Sequence, residues 1–230
     1  MVLAYMANDP KAATLPVSGA FNRPGPVPSV ASGWQQTLTA GGVKISGAHP
    51  FLDPGGYRAH MIFELAQQHL KVPGLYNALL QHYQVTPADP VGAAPVLGKD
   101  FNFQFTYEHS AAAAAKREPQ YRYAALPTEI DLSGADGRQY TATVTIPGLG
   151  TPSSRATVDI PATAVEWGLT VPLNSANREA AIAFVSAVLG SSGRAALASN
   201  GPAPITPARV SRADSGRVPA ALKSLVVAAR

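Results

Sequence analysis

The residues of this chain best suited to chemistry form one run, Asp-Pro-Gly-Gly-Tyr-Arg at positions 53–58. Asp is a favoured N-cap, Pro suits the first helical position, and two glycines leave backbone N–H groups unshielded by side chains. A helix N-terminus carries roughly half a positive charge, so a small anion could approach these amides, with Arg58 one turn further on as a second counter-charge. The run therefore predicts an anion site whose candidate members are Asp53, Gly55, Gly56, Tyr57 and Arg58.

Two interpretations of Asp53 remain open on spacing alone. In the first, its carboxylate only caps the helix, a contribution of about 1 kcal/mol, and the glycines only permit the turn. In the second, the carboxylate faces the ligand, which it repels unless it bonds to a metal centre inside the oxyanion. An oxyanion whose central metal can expand its coordination shell would remove that repulsion.

A second candidate contact is the stretch Tyr107-Glu-His-Ser110, at the turn from an aromatic strand into an alanine-rich helix. Ser110 could donate its hydroxyl to an oxyanion, although an ordinary helix cap by Ser110 or Glu108 explains the same residues. Tyr107 either touches the ligand or packs with its hydroxyl satisfied locally. Both Tyr107 and Ser110 therefore join the candidate ligand-binding residues.

The alternative chemistry is hydrolytic, with Asp53, His49 or His109 acting together with Ser110. No nucleophile elbow, Walker loop or dinucleotide-binding turn accompanies these residues. Cysteine is absent, which excludes thiolate catalysis and cysteine metal sites, and the five histidines lack the i, i+4 spacing of a helical metal pair. The sequence therefore favours a binding protein without cofactor or free metal ion over an enzyme.

Composition, net charge and hydropathy limit the classes of fold and ligand that the chain can have. Hydrophobic residues make up 46% of the 230 and charged residues 14%, so the chain can bury a core as one or two α/β lobes. The formal net charge is +4, and the basic residues are scattered singly, which favours a small anion over nucleic acid. No apolar run approaches the roughly 20 residues that cross a bilayer, so neither a membrane span nor a secretion signal is expected.

Periodicity predicts the elements that must position these motifs. Apolar residues recur with helical spacing over 54–70 and 74–83, and they alternate with polar residues over 101–107. Other predicted strands are 2–6, 43–46, 121–125, 140–146 and 165–171. Other predicted helices are 34–38, one around 111–115, one capped by Asn174 or Ser175, and one near 219–227, with loops at 10–33 and 87–98. Strands that alternate with helices predict an α/β fold with a mainly parallel sheet.

Short motifs follow one another in a fixed order along most of the chain. They are Val2-Leu-Ala-Tyr, Gly33-Trp34, Val43-Lys-Ile-Ser, the run at 53–58, Phe105-Thr-Tyr107 with Ser110, Leu126-Pro-Thr-Glu-Ile-Asp-Leu-Ser133, Gly168-Leu-Thr-Val-Pro172, Asn177-Arg-Glu179 and Asn200-Gly-Pro-Ala-Pro204. This ordered set resembles the periplasmic molybdate/tungstate-binding proteins of ABC importers, in their archaeal-type branch.

The resemblance implies an α/β fold of the type II periplasmic-binding-protein class, with one lobe largely complete and the other partial. Residues 1–45 would form the remainder of the first lobe with a hinge strand, 46–165 the second lobe with the anion site, and 166–230 the return to the first lobe. It also implies that Asp53 ligates the molybdenum or tungsten of the oxyanion in six-fold coordination. The expected protein is a monomeric, periplasmic or cell-envelope binding component that serves a membrane permease.

Two departures from the family bear on binding. Members begin with a strand-helix segment that carries a serine-bearing oxyanion loop, and this sequence has no counterpart to it. A second coordinating carboxylate is also expected ahead of the aromatic strand, where Asp89 and Asp100 are the acids present. A truncated family member without independent binding is therefore an alternative, and sequence does not separate molybdate from tungstate.

Overall fold

The computed structural model describes residues 1–19, 27–86, 95–134, 138–147, 157–200 and 204–229. The chain divides into two compact units, Met1–Glu166 and Trp167–Arg230. Asp89 and parts of the predicted loops 10–33 and 87–98 lie outside the described residues. The assignment of 1–45, 46–165 and 166–230 to lobes stays a prediction.

A seven-stranded mixed sheet organises the first unit. Its strands are β1 (Val2–Met6), β2 (Val17–Ser18), β3 (Ser29–Val30), β4 (Ile45–Gly47), β5 (Tyr83–Val85), β6 (Phe103–Thr106) and β7 (Tyr121–Ala125). They lie in the order β2-β3-β7-β1-β6-β4-β5. Strands β3 to β7 share one direction, whereas β1 runs antiparallel to β6 and β7 and β2 antiparallel to β3. The predicted α/β class is confirmed, but the predicted mainly parallel sheet is not, because three of the six strand pairings among the described residues are antiparallel.

The opening strand β1 lies in the middle of this sheet. Leu3 is paired with Phe105 of β6 on one side and with Ala124 of β7 on the other. Leu3 and Ala4 are both 0% exposed. The predicted buried strand at 2–6 is therefore confirmed, and both of its partners come from later in the chain.

Four α-helices of the described residues accompany the sheet, α1 (Trp34–Leu38), α2 (Pro54–Leu70), α3 (Leu75–His82) and α4 (Glu108–Arg117), together with a 3-10 helix at Ala12–Thr14. The predicted helix 54–70 is confirmed with the same bounds, and it ends where Lys71 adopts the left-handed conformation. Its buried stripe belongs to one hydrophobic core with β1, β4 and β6. The buried side chains of α2 are Ala59, Met61, Ile62, Phe63, Leu65 and Ala66.

The end of the first unit differs from the sequence prediction. Strands β8 (Thr143–Pro147) and β9 (Thr157–Pro161) form a two-stranded antiparallel ladder. The predicted strand at 165–171 is wrong, because those residues adopt no strand. Val165 donates its N–H to the Leu132 carbonyl, and Trp167 is 71% exposed. Residues with high strand propensity form a strand only where a neighbouring strand offers a ladder partner.

The second unit contains helices α5 (Arg178–Leu189) and α6 (Ser191–Asn200), followed by the parallel pair β10 (Ala208–Val210) and β11 (Val226–Ala228). Asn177 caps α5, since its Oδ1 accepts from the Ala180 N–H at 3.0 Å. The predicted caps Asn174 and Ser175 are therefore wrong by two or three residues. The helix predicted near 219–227 is a 3-10 helix over Ala220–Leu225.

Among the described residues, no single helix has both the length and the hydropathy needed to cross a bilayer. Helices α5 and α6 reach those values only when taken together, and they are bent by 64° at the break between them.

Replacement of a core aromatic on β6 tests this arrangement. Phe103 is 0% exposed, so Phe103→Ala leaves a cavity and is expected to lower the free energy of unfolding by about 3–5 kcal/mol. The matched control is Phe51→Ala, because Phe51 is 43% exposed, and its expected cost is below about 1 kcal/mol. Urea denaturation of both variants measures the difference, and equal losses would contradict the described core.

Candidate functional site

Two helices begin at the same edge of the sheet. Strands β4 and β6 are parallel neighbours, and α2 and α4 begin after their carboxyl ends. A side-chain carbon added at Gly55 would lie 3.9 Å from the Tyr107 hydroxyl, so the first turn of α2 lies beside the start of α4. The fold thus brings both candidate anion motifs together at the strand edge where α/β proteins commonly bind ligands.

Arg58 is the charged centre of this edge, which we call the Arg58 site (Asp53, Gly55, Tyr57, Arg58 and Tyr107). Its Nη1 donates to the Tyr107 hydroxyl at 2.5 Å. Its Cζ lies 5.5 Å from the Tyr107 ring centroid and 5.8 Å from that of Tyr57. The side chain is half-buried, and no carboxylate of the described residues lies within 4.0 Å of it. A partly desolvated cation that forms no ion pair among these residues favours an incoming anion.

Asp53 acts as the N-cap of α2. Its backbone is extended, and its Oδ1 accepts from the Gly55 N–H at 2.6 Å. Its backbone carbonyl accepts from the Gly56 N–H at 3.0 Å. The capping interpretation is therefore observed, and Asp53 already engages both amides predicted to hold an anion. Among the described residues, no hydrogen bond reaches Oδ2, and the residue is exposed.

Close packing explains why residue 56 is a glycine. A side-chain carbon at this position would lie 2.5 Å from the Ala48 carbonyl oxygen and 2.6 Å from the carbonyl carbon of His49. Any larger residue would push the β4–α2 connection away from the helix. Its identity as glycine is thus explained by close packing, and its role as a ligand amide stays a prediction.

The start of α4 is built differently from the sequence expectation. Tyr107 is the N-cap residue and makes no side-chain cap, so Glu108 and Ser110 lie inside the first turn. The Tyr107 hydroxyl accepts a hydrogen bond from Arg58, which agrees with the predicted alternative in which this hydroxyl is satisfied locally. Its ring stacks on His109 with centroids 5.7 Å apart and planes 14° apart. Ser110 is exposed, and its ligand role stays a prediction.

Asp100 does not join this edge. It precedes β6, whereas Tyr107 follows that strand, so the two residues lie at opposite edges of the sheet. Its Oδ2 accepts from the Val96 N–H at 2.8 Å, which is a local turn contact. The other expected acid, Asp89, lies outside the described residues. A second coordinating carboxylate is therefore not provided by Asp100.

Sequence reasoning missed the aromatic residues behind the site. Tyr83 donates its hydroxyl to the Ala48 carbonyl at 2.8 Å, and burial raises the pKa of Tyr83, with a further contribution from the negative charge of Asp53. His60 packs between these aromatics, with its ring parallel to that of Phe63 and its Nδ1 3.3 Å from the Tyr76 hydroxyl. Burial lowers the pKa of His60. No periodic signal in the sequence places Tyr83 near Asp53 or groups it with these aromatic side chains.

The chain is similar in sequence to known proteins over most of its length. A family model for bacterial extracellular solute-binding proteins matches residues 1–202. An uncharacterized solute-binding protein of Petrotoga mobilis is 29% identical over 177 residues, covering 76% of this chain and 53% of the relative. Another from Methanoculleus marisnigri is 26% identical over 220 residues, covering 85% of this chain and 59% of the relative.

A third relative carries a more specific name. A Haloferax volcanii protein, provisionally named an ABC transporter molybdenum-binding protein, is 32% identical over 114 residues. That match covers 50% of this chain and 35% of the relative. The chain thus spans about half the length of the first two relatives and about a third of the Haloferax protein.

Half-buried His60 makes the free energy of unfolding depend on pH in a defined direction. The folded-state pKa of His60 lies below the usual 6.5. As the pH falls through 6.5, His60 is therefore protonated in the unfolded chain before it is protonated in the folded chain, which favours unfolding. The free energy of unfolding should therefore fall between pH 7.5 and 5.5, and His60→Phe should reduce this loss. Between pH 8.5 and 7.5 His60 is neutral in both states, so this range is the control for urea denaturation. An equal loss in wild type and His60→Phe would contradict the assignment.

Proposed function

The chain belongs to the family of bacterial extracellular solute-binding proteins, and from that premise we propose that it binds molybdate or tungstate for an ABC importer. The family supports a binding role rather than catalysis. The name of the Haloferax relative, together with the ordered motifs that resemble molybdate/tungstate-binding proteins, supports the choice of oxyanion. A membrane permease is the proposed partner, and the periplasm or cell envelope the proposed location.

One observation carries the choice of an anion: the half-buried Arg58 guanidinium has no carboxylate within 4.0 Å among the described residues. Its hydrogen bond to Tyr107 leaves other N–H donors of the planar fork for a ligand. The N-terminus of α2, one turn away, adds the positive end of a helix dipole. An oxyanion at this position would neutralise both charges.

Asp53 has a role in this proposal that matches its observed position. If its carboxylate turns from the Gly55 N–H to the metal of the oxyanion, the vacated N–H can donate to an oxyanion oxygen. The Gly55 N–H then has an acceptor both without ligand, where it is the Asp53 carboxylate, and with ligand, where it is an oxyanion oxygen, so the exchange leaves this amide satisfied. Ser110, exposed in the first turn of α4, is the proposed additional hydroxyl donor.

We propose a type II-like periplasmic-binding fold, with one lobe largely complete and the other partial. In this assignment residues 46–165 form the second lobe with the Arg58 site, while 1–45 and 166–230 supply the hinge strand and parts of the first lobe. The family match over residues 1–202 supports a solute-binding-protein fold, while the lobe boundaries rest on the resemblance of the ordered motifs.

Calorimetric titration of the 230-residue chain with tungstate, molybdate and sulfate tests the proposal. We expect tungstate or molybdate to bind more tightly than sulfate, because sulfur does not add a carboxylate ligand. Arg58→Gln should weaken binding about 10- to 100-fold, the usual range for a charge-assisted hydrogen bond. Arg138→Gln is the matched control, since the Arg138 guanidinium already lies 3.7 Å from Glu129.

Three results would contradict the proposal. They are no heat with either metal oxyanion from a chain that is folded by circular dichroism, equal affinities for tungstate and sulfate, and unchanged affinity in Arg58→Gln. The first result would favour a family member that does not bind independently.

A further inference from the structure

The connection between β4 and α2, which we call the 48–53 loop, delivers Asp53 to the helix end. The His49 carbonyl accepts from the N–H groups of Leu52 and Asp53, at 3.1 and 3.0 Å. The His49 Nδ1 lies 3.1 Å from the backbone nitrogen of Phe51. The position of Asp53 therefore depends on where the Ala48–His49 peptide is held.

That peptide is held from two sides. On one side Gly56 allows the α2 backbone to come within contact distance of it, as a side-chain carbon there would lie 2.5 Å from the Ala48 oxygen. On the other side the Tyr83 hydroxyl donates to the same oxygen at 2.8 Å. A carbonyl oxygen can accept up to two hydrogen bonds. A hydrogen bond from a rigidly held donor restricts the peptide more than one from a mobile donor.

Tyr83 is such a rigid donor. It begins β5, where it is paired with Ile45 of β4, and its ring lies so close to Gly47 that a side-chain carbon there would be 1.9 Å from the hydroxyl oxygen. Edge-to-face contacts hold the ring against His60 and Phe63, at centroid distances of 5.3 and 5.6 Å. The hydroxyl is therefore positioned by the core and not by the loop.

We infer that Tyr83 is a positioning residue for the Arg58 site: its hydroxyl, through the Ala48 carbonyl, sets the 48–53 loop and so the carboxylate of Asp53. As a statement about ligand binding, this inference rests on the proposed oxyanion function. The ligand class it serves is an oxyanion with a metal centre, for which the direction of the Asp53 carboxylate decides coordination. Burial and the charge of Asp53 raise the pKa of Tyr83, so the hydroxyl remains a donor at neutral pH.

The first test needs no ligand. Tyr83→Phe keeps the ring and removes the hydroxyl, so amide hydrogen exchange of Leu52 and Asp53 should accelerate about 3- to 10-fold. Tyr76→Phe is the matched control, because its hydroxyl lies in the same aromatic cluster, 3.3 Å from His60, and does not bond the loop. Exchange at Phe105 in β6 reports global stability in both variants, which separates a local effect from general destabilisation.

The second test uses tungstate affinity in a double-mutant cycle. Tyr83→Phe should weaken tungstate binding about 3- to 10-fold in the wild-type background and have no further effect in Asp53→Asn. A structural role unrelated to Asp53 would instead give the same loss in both backgrounds. Tyr76→Phe should leave the affinity unchanged.

Each test can contradict a different part of the inference. Unchanged exchange at Leu52 and Asp53 in Tyr83→Phe, or equal acceleration in Tyr76→Phe, overturns the positioning role. Additive affinity losses in the cycle overturn its action through Asp53. If the wild-type chain binds no tungstate while Tyr83→Phe still accelerates exchange, the proposed function fails and the control of the 48–53 loop by Tyr83 stands.

Discussion

The parallel pairing of β4 with β6 is the constraint on which the candidate site depends. Ile45 is opposite Phe103 in this pairing, so the chain leaves both strands at one edge and enters α2 and α4 side by side. Two helix N-termini are thereby placed close together, where their partial positive charges add. Arg58 and Tyr107 come into hydrogen-bonding contact only because the two helices start from neighbouring strands. The electrostatic character of this edge is therefore a consequence of strand order.

Under the proposed function, the atoms that stabilise the start of α2 are also the atoms that would bind the ligand. The Asp53 carboxylate stabilises α2 by accepting from the Gly55 N–H, which is also an amide that an oxyanion would use. A cap typically contributes about 1 kcal/mol, so a ligand that displaces it must supply more than this from its own contacts. Under the proposed function, the bond from Asp53 to the metal centre supplies that compensation.

The sequence predicts those parts of the fold that have a strong local signal. Helix α2 carries a Pro at its first position, an Asp cap and a buried apolar stripe, and its bounds agree with the prediction. The region 165–171 also has good strand composition, yet no strand of the described residues pairs with it, and pairing is a property of the whole chain. Tyr83 was missed for a related reason: its contact with Ala48 joins residues 35 positions apart, and no spacing rule indicates it.

Under the proposed function, Arg58 and Asp53 together account for the selection of one oxyanion over others. Arg58 and the helix dipole attract any small anion, so alone they would also favour sulfate and phosphate. Asp53 opposes all of these through like-charge repulsion, since an exposed carboxylate stands at the same helix end. Only an anion whose central atom accepts a further oxygen ligand turns that repulsion into a bond. In the proposed function attraction therefore provides affinity, while the acidic residue provides discrimination.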